Sequence, residues 1–164
     1  MKYPLRHSLC RPLLASLLMA LWVALPAEAQ EGAAARLARG DAVMSRLSGG
    51  AGQPVLNAMK QDFPFLAEAI TAYSLGDVWG RSVLDDRTRQ LATVAAFAAQ
   101  GNLATLKIHA GYALRLGVTP DELKEIVYLT TVTAGFPRAI DAAQALREVF
   151  AAQSVGTPST APAR

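Results

Sequence analysis

The chain has 164 residues, 52% of them hydrophobic and 18% charged, with a formal net charge of +3. That length suits one domain, and the apolar fraction is too high for a disordered chain. Cys10 is the only cysteine, which excludes a disulfide scaffold and any zinc site built on several thiolates.

Lys2, Arg6 and Arg11 precede an uncharged run from Leu13 to Leu25. Pro26 ends the run, and Ala27-Glu28-Ala29 forms a small-x-small site before Gln30. This is the order of a cleavable secretory signal peptide. At ~1.5 Å per residue the apolar run spans roughly 20 Å, short of the ~30 Å hydrocarbon core, so an uncleaved anchor is the lesser alternative. The predicted layout is a signal peptide over 1–29, a linker over 30–37, a helical domain over 38–152 and a disordered tail over 153–164. The expected location is the periplasm or outside the cell, with no stable membrane span after cleavage.

Cleavage changes the charge arithmetic. Of 16 basic and 13 acidic side chains, the leader holds three and one, leaving 13 against 12. No Lys/Arg cluster with interleaved aromatics remains, so no nucleic-acid partner is expected. The mature chain keeps one histidine, His109, and no cysteine. Thiol catalysis, haem attachment, iron–sulfur clusters and multi-histidine metal sites are closed to it.

Nearly every periodic segment reads near 3.6 residues, which predicts an all-α fold of about six helices. The first covers Ala33 to Leu47, with Leu37, Met44 and Leu47 as its apolar points, and stops at Gly49-Gly50. A second covers Pro64 to Trp79, with Phe65, Ala69, Tyr73 and Leu75 on its apolar side. Asp85 caps a third from Asp86 to Gln100, which presents Leu91, Val94, Ala95 and Ala98. A fourth, about Leu103 to Leu116, carries Leu106, His109, Ala110, Ala113 and Leu114, with Gly117 at the left-handed stop. Thr119, Pro120 and Glu122 form a capping box for the fifth, whose inward face is Leu123, Ile126, Val127 and Thr130. Pro137 opens the last, with Ile140, Ala143, Leu146, Val149 and Phe150. So much alanine buries little area per residue, so oligomerisation would help stability.

His109 is the one group whose ordinary pKa lies near neutrality, and Tyr112 shares its helix face. A histidine satisfied within the packing, or solvated, is the plain alternative. Tyr73, Asp77, Trp79 and Arg81 cluster around a helix end loosened by Gly76 and Gly80; an aromatic anchor with surface charges would look the same. Arg87 and Arg89 sit at a helix start where the macrodipole prefers acids, which suits a carboxylate ligand or plain solvation.

In order, Gly76-Asp77-Val78-Trp79-Gly80-Arg81, Leu84-Asp85-Asp86-Arg87-Thr88-Arg89, Leu106-Lys107-Ile108-His109, Leu116-Gly117-Val118-Thr119-Pro120-Asp121-Glu122-Leu123 and Ala134-Gly135-Phe136-Pro137 resemble the carboxymuconolactone decarboxylase family. The resemblance covers about residues 38 to 152. It implies an all-helical fold assembled as a symmetric oligomer, often a trimer or hexamer, with sites near subunit contacts. One branch of the family is a thiol peroxidase whose Cys-x-x-Cys pair would fall on Asn102 and Thr105, and whose proton-relay glutamate would fall near Gln90. An amide and a hydroxyl supply no thiolate. The other branch decarboxylates γ-carboxymuconolactone without a cofactor, which implies His109 as the catalytic acid. It also implies a substrate site drawn from Asp77, Trp79, Arg81, Arg87 and Tyr112.

The sequence departs from that branch at Arg115-Leu116, where paired asparagines are usual, at Asp77 for a glutamate, and at Arg138 for a small residue. The implied function is a cofactor-independent lyase acting on a small carboxylated or lactone metabolite in the exported compartment. The alternative is a non-enzymatic, small-ligand or partner-binding oligomer of the same fold.

Overall fold

A computed structural model of the chain describes residues 32–156. The expected signal peptide lies outside the described residues, as does the tail beyond 156. Helix α1 covers residues 32–48 and already includes most of the segment expected as a linker. Gly49 and Gly50, both at positive φ (63° and 83°), end it. Helix α2, Pro54–Asp62, was not expected from the sequence. The Gln53 side chain accepts from the Leu56 amide at its start and Pro54 fills the first turn. Only Leu56 of α2 is buried, so its periodic signal is slight.

Helix α3, Pro64–Ala69, runs directly into a π-helical segment, Ile70–Trp79. The Gly80 amide closes that segment on the Leu75 carbonyl at 2.9 Å, five residues back. This winding corrects the predicted single α-helix. Phe65 and Tyr73, expected inside, are 86% and 61% exposed. Ile70, Ser74, Leu75 and Trp79 turn to the interior cavity instead, at the four- and five-residue spacing that a wider helix imposes.

Helix α4 (Asp86–Gln100) starts on the Asp85 carboxylate, which accepts from the Thr88 amide at 2.6 Å, and ends on Gly101 in the left-handed region. Helix α5 (Leu103–Arg115) is capped by Asn102, and α6 (Pro120–Thr133) by the complete Thr119–Glu122 capping box. Such a cap is worth about 0.5–2 kcal/mol. Helix α7, Phe136–Gly156, starts one residue before Pro137 and runs past the expected boundary at 152. No strand occurs among the described residues.

Two apolar clusters share α5. Helices α4, α5, α6 and α7 enclose Val94, Ala98, Leu106, Ala110, Ala113, Leu123, Val127, Ala142 and Leu146. Leucine fills this core, at about 1.5–3 kcal/mol per fully buried side chain, and alanine sets the close helix spacing. The predicted α7 face is partly displaced: Ala139, Ala142 and Ala145 are buried, and Ile140 is 54% exposed. The second cluster packs Val43, Leu47, Leu56, Ala67 and Leu75 against Tyr112 on the opposite side of α5. Gly40 of α1 and Gly76 of the π segment make this crossing tight. A Cβ on Gly40 would meet the Thr71 carbonyl, and one on Gly76 the Arg36 carbonyl. Among the described residues no helix is long and apolar enough to cross a membrane.

Candidate active site

The second cluster is incompletely filled. A cavity of about 470 Å³ opens between α1, α2, the π segment, α4 and α5. Its walls are mostly apolar, with Met44, Leu47, Leu56, Met59 and Ile108 among them, and the hydroxyls of Ser74, Thr93 and Thr105 interrupt them. Among the described residues, no aspartate, glutamate, lysine or arginine lines it.

His109 sits on its α5 wall within an aromatic frame. The imidazole lies 5.9 Å from Trp79 in near-parallel stacking, 5.3 Å from Phe97, and 5.8 Å from Tyr112 edge-on, between ring centroids. Its Nδ1 is 2.9 Å from Oε1 of Gln90, a side chain with no solvent exposure. An amide oxygen only accepts, so Nδ1 carries the proton and Nε2 keeps a lone pair. Burial pushes the imidazole down from 6.5 to about 4. The sequence expectation of titration near neutrality therefore changes: His109 rests neutral at pH 7.

The Gln90 amide nitrogen is buried with no hydrogen-bond partner among the described residues. A buried donor left unmet costs about 1–3 kcal/mol, and such costs concentrate where function requires a geometry. Tyr112 is buried, and burial raises its hydroxyl above the ordinary value, so it remains a donor. Among the described residues its hydroxyl partner is Met44 Sδ at 3.7 Å, a weak contact that leaves the hydroxyl available to a ligand oxygen.

Three of the six residues singled out from the sequence thus meet at one cavity: His109, Trp79 and Tyr112. The other three stand outside its lining. Asp77 is held by Arg36 and Arg39 of α1 at 2.5 and 3.1 Å, and these guanidiniums keep its carboxyl below the usual range. Arg87 bonds Glu122, tying the start of α4 to the start of α6. Arg81 is exposed, and its carbonyl accepts from Arg89 at 2.7 Å. Thr105, at one cysteine position of the peroxidase branch, lines the cavity with a hydroxyl. Phe97 and Met44 were missed as site residues: Met44 reads as core by spacing, and Phe97 lies off the expected apolar face of α4. No group of three potential metal-ligating side chains occurs among the described residues.

The protein is thus an all-helical domain built around a histidine-centred cavity with no thiol among its lining residues. Comparison with known proteins narrows it. The profile of the carboxymuconolactone decarboxylase family matches residues 64–148. The chain is 37% identical over 95 residues to a 4-carboxymuconolactone decarboxylase of Acinetobacter baylyi, covering 58% of this chain and 69% of that protein. It is 35% identical over 91 residues to a nitrosuccinic acid decarboxylase of Metarhizium robertsii, covering 54% and 64%. The chain belongs to the carboxymuconolactone decarboxylase family.

Proposed function

We propose that the protein is a cofactor-independent carboxy-lyase of the exported compartment, acting on a small carboxylated lactone or similarly conjugated acid. The observation that carries this reading is a lone histidine, with a free Nε2, in a cavity otherwise without charge. Two relatives with decarboxylase names support the reaction class.

The chemistry follows from burial. A carboxylate entering this cavity loses its hydration and meets no lysine or arginine, which raises its energy. As the C–C bond breaks, the electron pair spreads into the conjugated system, and the delocalised anion suffers less from desolvation. The Tyr112 hydroxyl is placed to donate to the developing enolate oxygen. Trp79 and Phe97 supply flat surface for the ring. His109, protonated at Nε2 when the anion is bound, returns that proton to carbon. The balance is R–COO⁻ plus H⁺ giving R–H plus CO₂, with His109 neutral again at the end.

The experiment is CO₂ release by the chain beginning at Gln30, offered 4-carboxymuconolactone and a panel of related lactone and nitro-substituted acids. Release above the protein-free rate is expected for at least one of them. Ligand-dependent thermal stabilisation without CO₂ release would overturn the lyase reading in favour of a small-ligand binding protein.

The same reading includes self-association. Tyr128, Leu129, Val132, Phe136 and Ile140 leave large apolar side chains exposed over the end of α6 and the start of α7. Exposed apolar groups in such number on neighbouring turns mark an interface. Light scattering on the same chain is expected to give a trimer or larger; a monomer at micromolar concentration counts against the assembly.

A further inference from the structure

The hydrogen bond behind His109 bears on how the site takes a charged ligand. Gln90 is wholly buried on α4, and its neutral amide oxygen accepts from Nδ1 whether the imidazole is neutral or protonated. Among the described residues, Tyr112 is the only other titratable side chain lining the cavity, from any of its five elements. Arg46 is engaged with Asp86, Lys107 with Glu148, and Arg115 with the Ser48 carbonyl at 2.5 Å, while Asp41 and Lys60 face a separate surface pocket on the other side of α1 and α2. A carboxylate in this cavity has one route to a cationic partner, a proton placed on Nε2 of His109.

We propose that Gln90 is a positioning residue that makes anion binding here proton-coupled: it holds the Nδ1 proton of His109, turns the Nε2 lone pair to the cavity, and keeps the site uncharged until a carboxylate arrives with a proton. This deepens the lyase reading and rests on it for its meaning in turnover. A glutamate at position 90 would behave differently, because its own charge would hold the imidazole protonated at rest. The amide supports the ring without fixing its charge, so the proton enters with the substrate and is the one later delivered to carbon. Linkage then requires the affinity for a monocarboxylate to fall about tenfold per pH unit between the resting pKa of His109 and its raised value in the complex.

His109 is the only histidine after Ala29, so imidazole nitrogen NMR on the chain beginning at Gln30 reports one ring. The unsubstituted chain should show the Nδ1–H tautomer at pH 7. Benzoate binding, by calorimetry in two buffers of different ionisation heat, should take up about one proton and weaken about a hundredfold from pH 5.5 to 7.5. Gln90→Glu should show an imidazolium at rest and a flattened pH dependence. Gln90→Leu, which nearly keeps the volume and removes the acceptor, should shift the tautomer toward Nε2–H. An Nε2–H tautomer in the unsubstituted chain, pH-independent benzoate binding, or no benzoate binding at pH 5.5 would each overturn the proposal. Failure of the lyase reading has a different signature, which is intact proton uptake with no CO₂ from any acid in the panel.

Discussion

Replacing His109 with glutamine should lower turnover about 10²–10⁴-fold and, in the same variant, remove part of the protein's acid sensitivity. The first effect is loss of the proton donor to carbon, equivalent to roughly 3–5.5 kcal/mol of barrier. The second follows from burial. The folded imidazole titrates at about 4, and the unfolded one at its ordinary 6.5. Between those values the unfolded chain binds a proton that the native state refuses. The shift is therefore fully stabilising above pH 6.5 and is lost as pH falls toward 4, by about 3 kcal/mol in total.

Denaturant midpoints at pH 7 and pH 4 measure this, and the glutamine variant should lose less stability over the interval. Glu122 does not confuse the result. The Thr119 backbone amide and then Arg87 hold its carboxyl at about 2, so its contribution is full above 4.5 and is lost as pH falls from there through 2, equally in both proteins. Equal acid losses in both proteins would show that His109 is solvated and not held in a dry cavity.

Gly40→Ala should destabilise the protein by about 1–3 kcal/mol and disturb the cavity, because the new methyl group meets main chain. Its Cβ overlaps the Thr71 carbonyl, which cannot rotate away as a side chain can. Relief requires α1 to move off the π segment, and these two elements supply Met44, Leu47, Leu75 and Trp79 to the cavity wall. Near-ultraviolet circular dichroism of Trp79 should change along with the denaturant midpoint. Gly111→Ala is the control of opposite sign. Nothing lies within 4 Å of its Cβ and its φ is helical. Alanine there should stabilise α5 by about 0.5–1 kcal/mol. If Gly40→Ala were neutral, the close crossing would not be what fixes the π segment on α1.

Features that form within a turn or two of chain were legible from residue order alone. The 3.6-residue periodicity marked every α-helix except α2, and Thr119-Pro120-Asp121-Glu122 specified the start of α6, because a cap and its amide are three residues apart. His109 stood out as the one histidine after Ala29, and the block order carried the family. Tertiary structure decided the rest. The π winding turned Tyr73 outward, since hydrophobic spacing cannot reveal which hydrogen-bond ladder packing will select. Gln90 and His109 are 19 positions apart, and only the α4–α5 packing makes them partners. Asp77, with Arg36 41 positions away, and Arg87, with Glu122 35 positions away, carry charge that a ligand could have used. Whether a charge serves the fold or the substrate depends on which opposite charge packing brings within reach, and no local pattern records that distance.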